Sequence, residues 1–366
     1  MPTSTIFKRG PTRLMKTLLL ILINTLMLFG CSGNTSSTQT VSNRIDTPEG
    51  MTDYLNKQRL PALDSVMPWK HKYVTGLKLT TDHYEIYTTL LEPLMLRQVP
   101  GFMESAHRAY NKQLLEPVET TAKFKIYLFA ERQQWEDFTD DFTGAQAPVY
   151  KKIKAGAYYL KGSCVAYNIG RERTFAVLGH EGWHQFNKRH FKYRLPSWLD
   201  EGIAMQFETS RYDNGMFYFN PERNHYRLGA LKLSLLENKI IPLKQLIALN
   251  PGEVLVADDP DDALRAFYAQ AYALIRFLRE DDYGKRLSNY HQLLIDGLEG
   301  KWPLNAEDRR AAMDRNIPLT VRWNRTVGSR LFEQYISEDL SEIEKEYHNY
   351  CRKIVYRVRV RRQQRD

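Results

Sequence analysis

The sequence predicts an α+β fold in which a small mixed sheet near the amino terminus is followed by a mostly helical lobe. Alternating apolar and β-branched residues favour four strands, whereas longer periodic patterns favour helices almost throughout from Glu172 onward. The expected strands cover residues 83–88, 123–129, 156–160 and 163–169. The 366 residues are enough for one large domain or for two lobes with a sizeable core.

The first 30 residues have the pattern of a signal peptide. Four basic residues precede an apolar run at 17–29 that is too short for an ordinary membrane span. The run ends in Leu28-Phe29-Gly30-Cys31, which resembles a bacterial lipobox and implies lipidation of Cys31. An ordinary signal peptide is the alternative. Ser32 resembles the outer-membrane default of Gram-negative lipoproteins, so we expect a lipid-anchored envelope protein that faces the periplasm.

Residues 31–61 are rich in Ser, Thr, Asn and Gln and contain few apolar residues. A segment of this composition cannot bury enough apolar surface to offset the entropy of ordering it. We therefore expect a flexible tether between the lipid anchor and the folded part of the chain.

Two imidazoles and a carboxylate lie close together in His180-Glu181-Gly182-Trp183-His184. Side chains at positions i and i+4 share one face of an α-helix, so His180 and His184 can converge on one ion. Neutral imidazole binds zinc readily, and a catalytic zinc usually takes three protein ligands and leaves one position to water. Glu181 is placed to accept a proton near that open position rather than to bind the metal.

The segment around this motif is too apolar for an exposed helix, because aromatic and aliphatic residues fill much of positions 174–187. The two histidines are therefore expected to be buried and to need polar partners. A metal ion is one such partner, and hydrogen-bonded core histidines are the alternative. Gly179 and Gly182 each cost a helix roughly 1 kcal/mol relative to alanine, which suggests that another backbone or a ligand approaches closely there.

A second helix is expected to begin at Pro196-Ser197 and to carry the third metal ligand. Ser197 and Asp200 form a capping-box pattern, in which both side chains satisfy backbone N–H groups at the helix start. Glu201, one position further round the helix, is therefore the better ligand. Glu208 follows two turns later on the same face and is either a solvated residue or a group that orients a ligand imidazole.

These residues resemble the gluzincin zinc metallopeptidases. The motif at 180–184, followed by Trp198-Leu199-Asp200-Glu201-Gly202-Ile203-Ala204, is similar to the HExxH…WLxEGxA signature of the aminopeptidase N group and of uncharacterised bacterial peptidase-like domains of the same clan. The resemblance implies a metallopeptidase domain, expected over residues 62–300, with Zn²⁺ bound by His180, His184 and Glu201. Residues 301–366 are expected to form a helical extension with a basic tail.

A third block, Tyr268-Ala269-Gln270-Ala271, is similar to the Tyr-x-Lys-Gly segment of those aminopeptidases, whose tyrosine hydrogen-bonds the transition-state oxyanion. The resemblance implies that role for Tyr268; a core aromatic on an amphipathic helix is the alternative. The GxMEN exopeptidase motif is absent, so no residue that would hold a free substrate amino terminus is identifiable. Residues 156–160 correspond either to the edge strand that pairs with substrate in the clan or to an ordinary strand.

The formal charge of +9 is concentrated at the two ends of the chain. Residues 352–366 contain seven basic residues and one acidic residue, and the signal region contains four more basic residues. The folded body is thus close to neutral, so we expect no nucleic-acid partner. Alternation from Tyr356 to Arg361 indicates a strand with one charged face, which is either a solvated edge or a contact for anionic lipid.

Cys164 and Cys351 are the other cysteines, and they either form a disulfide or remain two buried thiols. The sequence as a whole predicts zinc-dependent hydrolysis of peptide bonds, with a peptide or protein substrate, and sets no oligomeric state. One alternative is an envelope binding or assembly lipoprotein with a relic zinc site. Another is a zinc hydrolase of peptidoglycan cross-links, suggested by the location and by 22 Tyr and 6 Trp residues.

Overall fold

The computed structural model describes residues 45–72, 74–153, 156–251, 260–314 and 323–360, and within them the fold is α+β as expected. The described strands are β1 (Ser65–Lys70), β2 (Thr75–Thr80), β3 (Tyr84–Thr88), β4 (Phe124–Phe129), β5 (Ala157–Leu160), β6 (Ser163–Tyr167), β7 (Ser210–Asp213) and β8 (Met216–Phe219). The described helices are α1 (Pro48–Gln58), α2 (Pro93–Asn111), α3 (Arg132–Thr143), α4 (Ala147–Tyr150), α5 (Arg171–His190), α6 (Ser197–Ala204), α7 (His225–Leu236), α8 (Leu243–Leu246), α9 (Pro260–Glu280), α10 (Leu287–Glu299), α11 (Ala306–Met313), α12 (Ser329–Tyr335) and α13 (Leu340–Val355).

A six-stranded mixed sheet has the strand order β1-β2-β3-β4-β6-β5. The central strands β3, β4 and β6 are parallel, with Tyr84 opposite Phe124 and Lys125 opposite Ser163. Strand β5 pairs antiparallel with β6 and forms one edge of the sheet. The four strands expected from the sequence are confirmed as β3, β4, β5 and β6.

Two hairpins were not anticipated from the sequence. Strands β1 and β2 contain Pro68 and Gly76, residues that weaken a strand pattern, and the sheet accommodates the proline because β1 is an edge strand. The hairpin β7–β8 interrupts the helical part and turns at Asn214-Gly215, where both residues have positive φ. Asn-Gly is the strongest local hairpin signal, so this second hairpin was detectable.

Part of the expected flexible tether is ordered as helix α1. Thr47 caps the helix by accepting a hydrogen bond from the Gly50 N–H, and Pro48 occupies its first position. Met51 and Leu55, one turn apart, are buried against the sheet side of the fold. The expectation of a tether over 31–61 is therefore wrong for residues 48–58, because two apolar side chains were enough to dock a capped helix. Cys31 lies outside the described residues.

The helical part packs around α5 and α6. Helix α5 contacts α2, α6 and strands β5 and β6, while α6 lies against α9. Gly202 makes this second contact possible, since a Cβ atom at that position would lie 2.6 Å from the Ala271 carbonyl oxygen. The helices after residue 300 join the same core: the ring of Phe332 lies 5.5 Å from that of Trp198, and the Tyr347 hydroxyl donates to the Gln270 carbonyl.

Cys164 in β6 and Cys351 in α13 are both buried free thiols. Residues 356–360 form a turn and irregular chain rather than the expected strand, because α13 runs on to Val355 and no neighbouring strand is available among the described residues. Within the described parts of the chain, no helix is both long and apolar enough to cross a membrane.

Candidate metal centre

The His180–His184 pair lies in the middle of α5, where the helix is crowded on two sides. A Cβ atom at Gly179 would collide with the Phe207 carbonyl oxygen, and one at Gly182 would collide with the Tyr110 hydroxyl. That hydroxyl donates a 2.7 Å hydrogen bond to the Gly179 carbonyl. The close approach expected from the two glycines is therefore confirmed, and it fixes the helix that carries both imidazoles.

The Nε2 atoms of both imidazoles point at one carboxylate oxygen. Glu201 Oε2, carried by α6, lies 3.2 Å from His180 Nε2 and 3.8 Å from His184 Nε2. This oxygen is buried and has no hydrogen-bond partner in the described structure. Three donors about 2.1 Å from one tetrahedral zinc ion would lie about 3.4 Å apart, so the observed spacing fits such an ion.

A separate carboxylate holds the other nitrogen of each imidazole. His180 Nδ1 lies 3.1 Å from Glu208 Oε1, and His184 Nδ1 lies 3.0 Å from Asp200 Oδ1. An ionised carboxylate can only accept, so each Nδ1 donates its proton, and Nε2 is the nitrogen of each ring that would bind an ion. This arrangement, in which an outer carboxylate orients a metal-binding histidine, is typical of metal sites.

Asp200 has this orienting role instead of the expected capping role. Helix α6 has Pro196 as its N-cap and no side-chain cap bond, so the predicted capping box is wrong. The Asp200 side chain instead turns toward α5, where its Oδ1 accepts from Trp183 Nε1 and Asn187 Nδ2 as well as from His184. Three donors on one face of α5 compete more effectively for the carboxylate than the first turn of its own helix.

Glu208 is fixed in turn by residues that the sequence did not single out. Arg227 donates from Nε to Glu208 Oε2 at 2.8 Å and from Nη2 to Oε1 at 2.6 Å. Asn224, which also caps α7, donates to the same carboxylate at 2.9 Å. Burial raises the pKa of Glu208, but Arg227 and His180 outweigh it and lower that pKa to about 2. The carboxylate therefore stays charged behind the imidazole.

The charges around the imidazoles favour a cation between them. Burial by itself lowers the pKa of both histidines, but the neighbouring carboxylates outweigh it. Glu201 and Glu208 raise the pKa of His180 to about 10, and Asp200 and Glu201 raise the pKa of His184 to about 9. A position that stabilises positive charge so strongly, and that ends in an unsatisfied carboxylate oxygen, fits a divalent cation.

The pKa values of Glu181 and Tyr268 are both shifted by burial and by the charged residues of this site. Burial raises the pKa of Glu181, against the effect of the two histidine charges. Burial, then the charges of Glu201 and Glu181, raise the pKa of Tyr268 well above its ordinary value. The Tyr268 ring lies 5.3 Å from the Arg227 guanidinium and packs partly against the core. Neither side chain makes a hydrogen bond to another described residue, so both polar ends are available.

A second group, His83, Glu104 and His107, also brings three possible ligands together. The two imidazoles are stacked with centroids 3.7 Å apart and planes 21° from parallel. Ring lone pairs lie in the ring planes, so those of stacked rings run side by side and do not converge on one ion. Glu104 already accepts from Thr81 and from His83, so this group forms a hydrogen-bonded polar network without an ion.

Comparison with known proteins finds no matching family model and no matching curated protein. The resemblance to gluzincins therefore stays a prediction. The geometry around His180, His184 and Glu201 defines a candidate metal site on its own.

Proposed function

We propose that the chain is a zinc-dependent hydrolase of peptide bonds, of the gluzincin type. The observation that carries the proposal is the convergence of His180 Nε2 and His184 Nε2 on the unpartnered Glu201 Oε2. These three residues would hold the ion, which when bound would supply a Lewis acid that lowers the pKa of water and polarises the substrate carbonyl. Asp200 and Glu208 keep both imidazoles in the orientation that such binding needs.

Glu181 is the general base in this proposal. Its carboxylate is on the same helix as both histidines, and burial raises its pKa above that of an ordinary glutamate, which favours acceptance of a proton. It would take a proton from the attacking water and deliver it to the leaving amine. The absence of a hydrogen bond to any described residue leaves the carboxylate free for this transfer.

Tyr268 is the proposed donor to the oxyanion. A tyrosine whose pKa is raised keeps its proton at neutral pH and can donate it in a hydrogen bond to developing negative charge. The Arg227 guanidinium lies over the ring at cation–π distance and attracts it electrostatically. Residue 268 would thus act mainly in the transition state, as the tyrosine of the similar aminopeptidases does.

Strand β5 is the proposed binding edge for an extended peptide substrate. It forms the edge of the sheet next to α5, and its outer side has no partner among the described strands. A peptide can add to such an edge through main-chain hydrogen bonds. We also propose that lipidation of Cys31 holds the enzyme at the cell envelope, from the sequence of residues 1–31 alone.

The test is metal analysis of the purified chain followed by cleavage of a peptide library read by mass spectrometry. We expect about one zinc per chain, lost in His184→Ala because one of three ligands is gone. Glu181→Gln should keep the zinc and lose turnover, since it removes the base and not a ligand.

Glu172→Gln is the matched control, because Glu172 lies in the first turn of the same helix and is exposed. This variant should cleave like the wild type. Zinc retained at full stoichiometry by His184→Ala would refute the site. Zinc binding by the wild type without cleavage of any peptide would favour a relic site over an enzyme.

A further inference from the structure

A row of exposed cations follows helix α13. Residues 347–365 contain seven basic side chains and no acidic one. Lys353, Arg357 and Arg359 are exposed, and none of them forms an ion pair with another described residue. Some cations elsewhere are neutralised by a neighbouring carboxylate; Lys239, for example, pairs with Glu237 and Asp262. The segment from Arg352 to Val360, which we call the basic segment, is therefore an unbalanced positive surface.

The basic segment is held in place on the fold. Lys232 of α7 donates from Nζ to the carbonyl oxygens of Tyr356 and Val358, at 3.4 and 2.6 Å. Val358 and Val360 face inward, and Val360 approaches Gly229 of α7. Because the backbone and the valines are fixed, the side chains between them are presented outward together.

An exposed aromatic ring lies among these cations. Tyr356 is 81% exposed, directly beside Arg357. Basic residues interspersed with an amphipathic aromatic ring suit a membrane surface, where the cations meet lipid phosphates and the ring lies at headgroup depth. A nucleic-acid surface is less favoured, since the charge is confined to one short segment of a nearly neutral body.

We infer that the basic segment is a membrane-contact surface that binds anionic phospholipid headgroups. It is independent of the proposed zinc site. Each Lys or Arg near an anionic membrane surface strengthens binding by about fivefold, so three of them account for on the order of 100-fold. The attraction is electrostatic and should weaken as salt increases.

The experiment is vesicle flotation of the full chain with phosphatidylcholine vesicles and with vesicles that also contain phosphatidylglycerol. Binding to pure phosphatidylcholine measures the contribution of the amino-terminal membrane anchor, which the wild type and the variants share, and the increase with phosphatidylglycerol measures the electrostatic part. We expect this increase to fall by about 100-fold in Lys353→Gln/Arg357→Gln/Arg359→Gln and to disappear for the wild type in high salt.

The matched control is Lys57→Gln/Lys112→Gln/Lys152→Gln, which removes the same charge from three exposed lysines dispersed over the fold. It should keep the increase. Equal losses in both triple variants would show a general charge effect and overturn the proposal, as would an unchanged increase in the first variant. Segment-dependent binding of duplex DNA as tight as that of the anionic vesicles would overturn the assignment to lipid.

Discussion

Replacement of Glu208 by glutamine separates the metal-orienting role of this carboxylate from its role in stability. Glutamine keeps the size of the side chain and an oxygen that can accept from His180 Nδ1. It removes the negative charge that Arg227 binds through two nitrogens at 2.8 and 2.6 Å. The Glu208 and Arg227 side chains are only 12% and 14% exposed, so water replaces little of the lost interaction.

Two magnitudes follow from this geometry. Removing one partner of a buried ion pair leaves an uncompensated charge and costs about 3–5 kcal/mol of stability. Losing the group that orients a metal-binding histidine typically weakens metal affinity by about 10–100-fold, or about 1.4–2.7 kcal/mol. The unpaired Arg227 would add repulsion toward a divalent cation, so both effects reduce zinc binding.

Zinc affinity is measured by competition with a chromophoric chelator, and stability by urea unfolding of the metal-free chain. The double variant Glu208→Gln/Arg227→Met removes both charges, so it should recover most of the stability while zinc affinity stays below that of the wild type. Zinc binding by Glu208→Gln within twofold of the wild type would refute the orienting role of Glu208. Unfolding of the single and double variants at the same urea concentration would refute the cost of an unpaired Arg227.

Three further predictions concern other parts of the structure. Tyr268→Phe should lower kcat on a cleaved peptide by about 10²–10³ with KM nearly unchanged, and a wild-type kcat would leave only the core-aromatic role. Gly182→Ala should destabilise the chain by about 1–3 kcal/mol in urea unfolding despite alanine's better helix propensity, because its Cβ would collide with the Tyr110 hydroxyl; a stabilised variant would contradict this packing. Burial, with a smaller contribution from the charge of His83, lowers the pKa of His107 to about 4, so the unfolded chain binds a proton there below pH 6.5 and the folded chain does not. Stability should therefore fall by up to about 3 kcal/mol between pH 6.5 and 4, and His107→Phe should flatten that slope; an identical slope in the variant would rule out the assignment.

Several features of the site were predictable because they depend on local helix geometry. Residues four apart share a helix face whatever the rest of the chain does, so His180 and His184 could be paired from spacing alone. Gly179 and Gly182 signalled close packing because glycine is costly within a helix, and both do have a backbone or side-chain oxygen against them. The choice of Glu201 agrees with the structure, where its Oε2 faces both imidazoles.

The capping role expected for Asp200 was nevertheless wrong. Its carboxylate makes no cap bond and instead accepts from His184 Nδ1. Sequence patterns within one helix show which backbone groups a side chain can cap. They do not show which hydrogen-bond donors a second helix will bring to the same side chain. Helix α1 was missed for a related reason, since its low apolar content hides two residues that a neighbouring sheet buries.

The fold class, the histidine pair and the choice of Glu201 could be predicted from the sequence, because periodicity and spacing are properties of a single helix or strand. The groups that surround these residues could be identified only from the packing of the helices. Arg227 lies 19 positions from Glu208, yet the two meet because the first turn of α7 lies beside the residues that follow α6. Tyr268 comes from α9, which reaches α6 only because Gly202 lets the two backbones approach. Such contacts follow from the burial of whole helix faces, and no local pattern encodes which faces will meet.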